Sequence, residues 1–320
     1  MPRLLLAPME GLVDAVMRDV LTRATNYDWC VTEFVRVSNT VLPSRVFHRV
    51  APELRNASRT AAGVPVRVQL LGSDPQRMAA TADVVARLQP AGVDLNFGCP
   101  APLVNQHGGG SILLDAPECL RQITHAVSQA LAGRVMLTAK MRLGVRDKTK
   151  ALEAAHALVE GGAKLLVVHA RTRDEGYRPP AHWEWIARIV EAVKIPVVAN
   201  GEIWTVADYR RCVTESGCAD VMLGRGAVAD PFLAQRIREA EAGIEHVPCA
   251  ADWQALIPLL GQYWRGVEAK LEPQHRPGRI KQWLNLLRRT FPEGEALHQQ
   301  IRPLRRADEV SAVLATVGAL

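Results

Sequence analysis

The sequence predicts an α/β fold: a TIM (β/α)8 barrel followed by a C-terminal all-helical domain. Three observations carry that expectation. Short apolar, β-branched runs recur eight times between residues 4 and 228, each ending in Gly, Asn, Pro or a charged residue. Helix-like segments separate most of them, over a span close to the ~250 residues typical of such a barrel. After about residue 243 no strand-like run recurs, and apolar residues take up helical spacing. A doubly wound sheet would not usually need eight such units.

The eight runs are LLLAPM (4–9), CVTEFVRV (30–37), VPVRVQLLG (64–72), GVDLNFGCP (92–100), VMLTAKMRLG (135–144), KLLVVHART (164–172), IPVVANGEI (195–203) and DVMLGRGAV (220–228). Runs this apolar suit parallel strands buried between layers. Asp74-Pro75 predicts a helix with Asp as cap and Pro in the first turn, and Asp115-Ala116-Pro117-Glu118 predicts another. Further helices are expected near 149–161, 182–193, 205–216 and 230–242. The long, irregular stretch 38–62 is a candidate functional loop. Beyond the barrel, Trp253, Leu256, Leu259 and Leu260 follow helical spacing, and Ile280, Trp283, Leu284 and Leu287 form one apolar stripe. Lys281, Asn285 and Arg288 share another face, and Pro248 marks a linker. The expected domains are 1–243 and 244–320.

Composition narrows the class of protein. Apolar residues make up 48% of the 320 and charged residues 22%, which excludes a largely disordered chain. No apolar run approaches a membrane span, and the N-terminus lacks a signal-peptide core. Six cysteines form no CxxC pair and no His/Cys cluster, so no metal centre is expected and a reducing cytoplasm is. The net charge of +6 permits a polyanionic partner; from Arg279 to Arg306 seven Lys or Arg face two Glu.

In a TIM barrel the active site lies at the C-terminal ends of the strands. Those ends supply Met9, Arg36, Gln69, Asn96 with Cys99, Lys140 with Arg142, His169, Asn200-Gly201 and Gly224-Arg225-Gly226. A thiol, a Lys, a His and an Arg arriving together exceed what solvated strand ends explain. Loops after strands seven and eight often bind phosphate in this fold. Gly201, Gly224 and Arg225 there suit a phosphate-bearing cofactor, with backbone N–H groups and a guanidinium as donors. Lys140 could neutralise an electron-rich ring and Gln69 could bond its edge. No GxGxxG follows a strand, so FMN is expected rather than a bound nicotinamide. Cys99 lies past its strand in a Gly-Cys-Pro turn; an unperturbed thiol (pKa ~8.5) is mostly protonated near neutral pH and can act as an acid.

These motifs together resemble the tRNA-dihydrouridine synthase family. The resemblance rests on APMEGLVD (7–14), TEFVRV (32–37), VQLLG (68–72), DLNFGCP (94–100), GGGSILL (108–114), KMRLG (140–144), VVHARTRDEGY (167–177), ANGEIW (199–204), MLGRGA (222–227) and the basic helix RIKQWLNLLRR (279–289). The Met-Glu-Gly opening and the Arg-Ile-Lys-Gln-Trp helix are most similar to the bacterial C-type branch, which acts on uridine 16. The resemblance implies FMN at Pro8, Met9, Glu10, Gln69, Lys140, His169, Asn200, Gly201, Glu202, Gly224 and Arg225, and Cys99 as catalytic acid. It implies tRNA or base contacts at Arg36, Asn96, Tyr177, Arg279 and Lys281, with NADPH or NADH as reductant and a monomeric protein. Phe97 departs from the family, where many members carry a small residue or Cys, and is expected to reshape the pocket wall. The alternatives are a flavin reductase of a free pyrimidine, which leaves the basic helix unexplained, and an RNA-binding protein with an inactive barrel.

Overall fold

A computed structural model describes residues 2–106 and 108–320. Eight parallel strands close into a barrel in sequential order. They are β1 (Leu4–Leu6), β2 (Trp29–Arg36), β3 (Val66–Leu71), β4 (Val93–Phe97), β5 (Leu137–Arg142), β6 (Leu166–His169), β7 (Val197–Asn200) and β8 (Val221–Leu223). All eight expected strands are present, and all but β2, which has the length of its run and starts one residue earlier, are shorter than their apolar runs. The trailing residues turn out of the ladder to build the mouth. Among the described residues no helix is long and apolar enough to cross a membrane.

The barrel interior is divided by chemistry. Leu5, Ala7, Trp29, Val31, Leu165, Val167, Val198 and Met222 form one buried apolar cluster inside it. On β3, β4 and β5 the residues between the outward core positions are polar: Arg67, Gln69, Asp94, Asn96, Thr138 and Lys140. Arg67 stacks on Trp29 at 4.0 Å, joining the two halves. Outward residues such as Val66, Val68, Val93, Leu95, Leu137 and Ala139 pack in the core beneath the helices.

The helix Pro75–Ala86 starts as expected, with Asp74 accepting from the Arg77 backbone N–H at 2.8 Å. The helix Pro117–Leu131 does not: its cap is Ala116, whose side chain cannot accept, so Asp115 has no capping role and only Pro117 marks the start. Segment 38–62 is ordered rather than irregular. It holds the helix Ser44–Val50 and a 3-10 turn Pro52–Arg55, pinned where Arg18 Nε donates to Glu53 at 2.8 Å with both side chains buried.

Four helices, Ala250–Lys270, Arg276–Leu287, Pro292–Ile301 and Ala307–Thr316, follow the barrel. The expected stripe Ile280, Trp283, Leu284 and Leu287 is fully buried, and Trp283 Nε1 donates to the Val228 carbonyl past β8 at 3.1 Å. Lys270 and Gln262 reach Asp14 and Asp19 beside β1, at 2.9 and 2.7 Å. The C-terminal helices thus sit against the first and last βα units. At the junction the expectation of no His/Cys cluster fails: ligand atoms of His246, Cys249 and Asp252 lie within 4.8 Å of one another. His246 Nδ1 lies 3.0 Å from Glu239, Asp252 pairs with Arg236 at 3.0 Å, and Cys249 N donates to Asp252 at 2.8 Å, so the group is held by its own polar contacts.

Candidate active site

The turn carrying Cys99 is clamped from three sides. Asn96 Oδ1 accepts from Gly98 N at 3.0 Å and Cys99 N at 2.9 Å. The Cys99 carbonyl accepts from Asn105 Nδ2 and from the backbone and hydroxyl of Ser111. Gly110 permits that contact: its φ is +69°, and a Cβ there would meet the Cys99 carbonyl at 2.8 Å. Arg142, buried, donates to the carbonyls of Gly98 (2.9 Å), Thr172 (2.9 Å) and Gly176 (2.8 Å), tying this turn to the loop after β6. The thiol is half-buried, and burial pushes its pKa up, with Glu10 adding to the rise against Arg142 and Lys140. It stays a protonated donor at neutral pH.

Cys99 lines an open cavity of about 1310 Å³ with Pro8, Met9, Glu10, Phe34, Gln69, Asn96, Lys140, His169, Tyr177, Arg225 and Gln282. A second cavity of about 540 Å³ shares its wall at Met9, Lys140, His169, Tyr177 and Arg225 and continues to Asn200, Gly201, Glu202 and Gly224. Lys140 Nζ donates to Asn200 Oδ1 at 2.9 Å, while Asn200 Nδ2 donates to the Met222 carbonyl at 2.8 Å. Burial, then the nearby Arg142, lowers the Lys140 pKa to about 8. His169 is buried among Arg142, Lys140, Arg171 and Arg225, and burial with those charges holds it well below its usual pKa, hence neutral. Burial, then the Glu33 carboxylate, raises Glu10 to about 7.

The glycine-lined end of the second cavity is shaped by close backbone approach. Gly201 has φ +115°, and a Cβ there would meet His169 Cδ2 at 2.7 Å. At Gly224 a Cβ would meet only Met9 Sδ at 3.9 Å, so this glycine leaves space open to the cavity. Gly226 has a different cause: a Cβ would drive into the Ile203 carbonyl. Arg225 lies between the Tyr177 ring at 4.8 Å and the Trp204 ring at 5.0 Å. Arg142 also lies against Tyr177, at 5.1 Å, and Arg289 of the C-terminal helices covers Trp204 at 4.1 Å. This series of cations and rings spans from the Cys99 turn to the C-terminal helices. Its positive charge and the cradle at Gly201 and Gly224 fit a phosphate-bearing ligand with an electron-rich ring.

Residues 5–317 match the family model described as Dihydrouridine synthase (Dus). The chain belongs to the dihydrouridine synthase family. Among curated proteins it is 54% identical over 314 residues to a tRNA-dihydrouridine(16) synthase of Ralstonia nicotianae, covering 98% of this chain and 95% of that one. A protein of the same name from Cupriavidus necator is 53% identical, with 98% and 97% covered. The fold is similar to histamine dehydrogenase from a Rhizobium species, with TM-score 0.57 at 15% identity, covering 82% of this chain. The chain spans about half the length of that structure (48%), and the likeness is one of fold.

Within this dihydrouridine synthase the expected site residues divide into two groups. Cys99, Pro8, Met9, Glu10, Gln69, Asn96, Lys140, His169, Asn200, Gly201, Glu202, Tyr177, Gly224 and Arg225 come together in the paired cavities. Arg36 instead lines a neighbouring cavity of about 880 Å³ with Ser38, Asn39 and Arg77. Neither Arg279 nor Lys281 lines the paired cavities, and both side chains reach the chain's own backbone. Arg279 donates to the Gly11 and Leu12 carbonyls and pairs with Asp14; Lys281 donates to the Leu304 carbonyl. Glu202 likewise spends its carboxylate on Arg171 and on Trp204 Nε1. Phe97 does not reshape the pocket. It is 1% exposed and packs outward in the core, because its position alternates with the inward-facing Asn96.

Sequence reasoning missed Phe34, Arg171, Trp204, Gln282 and Arg289. The register shift between Val31 and Phe34 turns Phe34 toward the cavity, which strict alternation from Val31 does not foresee. Trp204 and Arg289 lie in segments matched to the family, but only their stacking reveals a shared position.

Proposed function

We propose that this dihydrouridine synthase reduces uridine 16 of tRNA to 5,6-dihydrouridine in the cytoplasm, with FMN as bound cofactor and NADPH as reductant. The observation that carries the reading is a protonated thiol, Cys99, in a cavity continuous with a cationic, glycine-lined pocket, in a chain more than half identical to relatives named for that reaction. Gly201, Gly224 and Arg225 hold the cofactor phosphate, while Gln69, Lys140 and Asn200 border its ring. Bound FMN supplies the hydride for C6 of uracil. Lys140 places its ammonium against the charge that accumulates on the ring, and Cys99 gives its proton to C5, where the base becomes basic. Neutral His169 adds no competing charge. A stacked uracil cannot enter a barrel mouth, so the base must be extruded, at a cost of a few kcal/mol.

We assign residues 1–243 to catalysis and 244–320 to tRNA recognition. Gln282 on the cavity wall and Arg289 over Trp204 support that division of labour, since the C-terminal helices meet the mouth there. Incubating the protein with NADPH and unmodified tRNA, then mapping dihydrouridine by reverse-transcriptase stops, tests the whole reading. A stop at position 16 is expected. Product from free uracil with none in tRNA would replace this function with that of a free-pyrimidine reductase.

The Lys140 pKa of about 8 sets a pH limit. Its ammonium is present below that value and lost as pH rises through it, whereas the Cys99 thiol, pushed up, remains protonated there. Flavin reoxidation by tRNA is expected to fall as pH rises through the Lys140 pKa, which negative charge on the bound ring moves above 8, and Lys140→Arg to shift that fall to higher pH. A fall unmoved in Lys140→Arg would remove the ammonium from the step.

Replacing Arg279 and Lys281 together by Ala is expected to weaken tRNA binding and flatten its salt dependence. Because both side chains also hold backbone carbonyls, the melting midpoint is expected to fall as well, by ~1 kcal/mol of stability per bond lost. An unchanged melting midpoint with weakened binding would mean that the two charges serve tRNA alone.

A further inference from the structure

The polar half of the barrel interior contains one continuous hydrogen-bond chain ending at the catalytic turn. Thr138 Oγ1 donates to Asp94 Oδ1 at 2.5 Å, and Gln69 Nε2 donates to Asp94 Oδ2 at 2.7 Å. Asn96 Nδ2 donates to Gln69 Oε1 at 2.7 Å. Asn96 Oδ1 then receives the Gly98 and Cys99 N–H groups. Asp94, Gln69 and Asn96 are all buried. β3 pairs Gln69 with Asp94 on β4, and β4 pairs Asp94 with Thr138 on β5, so neighbouring strands bring the chain together.

Its two ends have fixed polarity. A carboxylate only accepts, and backbone N–H groups only donate. Between them, one orientation of each amide satisfies every contact. Turning either amide sets oxygen against oxygen and N–H against N–H, which costs ~1–3 kcal/mol for each buried group left unpaired. A neutral amide at position 94 in an otherwise unchanged chain could keep its oxygen toward Gln69, with the Thr138 hydroxyl rotating to accept its N–H.

We propose that Asp94 is a positioning residue: its carboxylate sets the orientation of the Gln69 amide on the cavity wall and, through Asn96, holds the backbone that carries Cys99. The chain stands on these contacts alone; its effect on proton delivery rests on the functional reading above.

A compensating exchange tests this. Asn96→Asp puts carboxylates at both ends of the Gln69 amide, so Gln69 Oε1 faces an anion. Adding Asp94→Asn restores complementarity with the amide reversed. The amide at position 94 then donates to Gln69 Oε1, Gln69 Nε2 donates to the carboxylate at position 96, and the Gly98 and Cys99 N–H groups keep their acceptor. Asp94→Asn is therefore expected to lower the melting midpoint slightly in the wild type but to raise it in the Asn96→Asp background. Flavin reoxidation at saturating tRNA is expected to slow about tenfold in Asn96→Asp and to recover several-fold in the double variant, within the range of direct couplings. Additive melting shifts would overturn the chain. Coupled melting shifts with no change in reoxidation would leave Asp94 a purely structural residue. If the wild-type flavin is not reoxidised by tRNA at all, the functional reading fails, while the melting cycle still decides the chain.

Discussion

Cys99→Ala is expected to slow reoxidation of the reduced flavin by tRNA by ~10²–10⁴, the usual contribution of a positioned general acid. FMN binding and flavin reduction by NADPH should persist, because the thiol has no part in either. The loss belongs in the turnover step rather than in tRNA affinity, since the thiol meets charge that develops only as C5 becomes basic. The turn should survive the change. Its clamps act on the Cys99 backbone, through Asn96, Asn105, Ser111 and the Arg142 hold on Gly98, and none needs the sulfur. A purely structural cysteine would instead lower stability slightly and leave the rate intact. Single-turnover mixing of reduced enzyme with unmodified tRNA separates the two, and a wild-type rate would remove Cys99 from the chemistry.

Arg225→Ala is expected to weaken FMN binding by ~10- to 100-fold, the equivalent of one charge-assisted hydrogen bond to phosphate at ~1.5–3 kcal/mol. Arg225 is held between the Tyr177 and Trp204 rings, so little side-chain freedom is left to lose when an anion arrives. That arrangement also predicts that Arg225→Lys recovers only part of the loss. An ammonium keeps the charge but has no plane to stack between two rings and no fork to present to phosphate. Fluorescence titration of FMN into apoprotein measures both variants. Unaltered affinity in Arg225→Ala would displace the phosphate from this pocket.

Much of this was legible in the primary structure, for local reasons. A parallel strand needs a short apolar run, and Gly, Asn or Pro ends it wherever the chain must turn out of the ladder, so the eight runs announced the barrel. The strand-end rule then assembled Gln69, Cys99, Lys140, His169, Asn200 and Arg225 without coordinates. Even the polar interior was written in the alternation of VRVQLL, VDLNF and LTAKMR, where Arg67, Gln69, Asp94, Asn96, Thr138 and Lys140 occupy every second place. Reading those runs simply as apolar concealed Asp94.

Other features depended on partners distant in sequence. Arg279 and Lys281 had the composition of a nucleic-acid face, yet their donors reach Gly11, Leu12 and Leu304. Arg36 shares the face that a register shift gives Phe34, but, two residues further along the strand, it meets the cavity of Ser38, Asn39 and Arg77 instead of the Cys99 cavity. Asp115 looked like a cap as good as Asp74, and the path of the preceding 3-10 turn, Gly110–Asp115, made Ala116 the cap instead. By itself, then, the sequence determined the barrel, the family and the thiol that the fold brings to the cavity wall, because periodicity and turn chemistry act over a few residues. Only the tertiary structure decided which donors remain free and which way each amide faces, because a hydrogen bond is used up by whichever buried partner the fold brings within 3 Å.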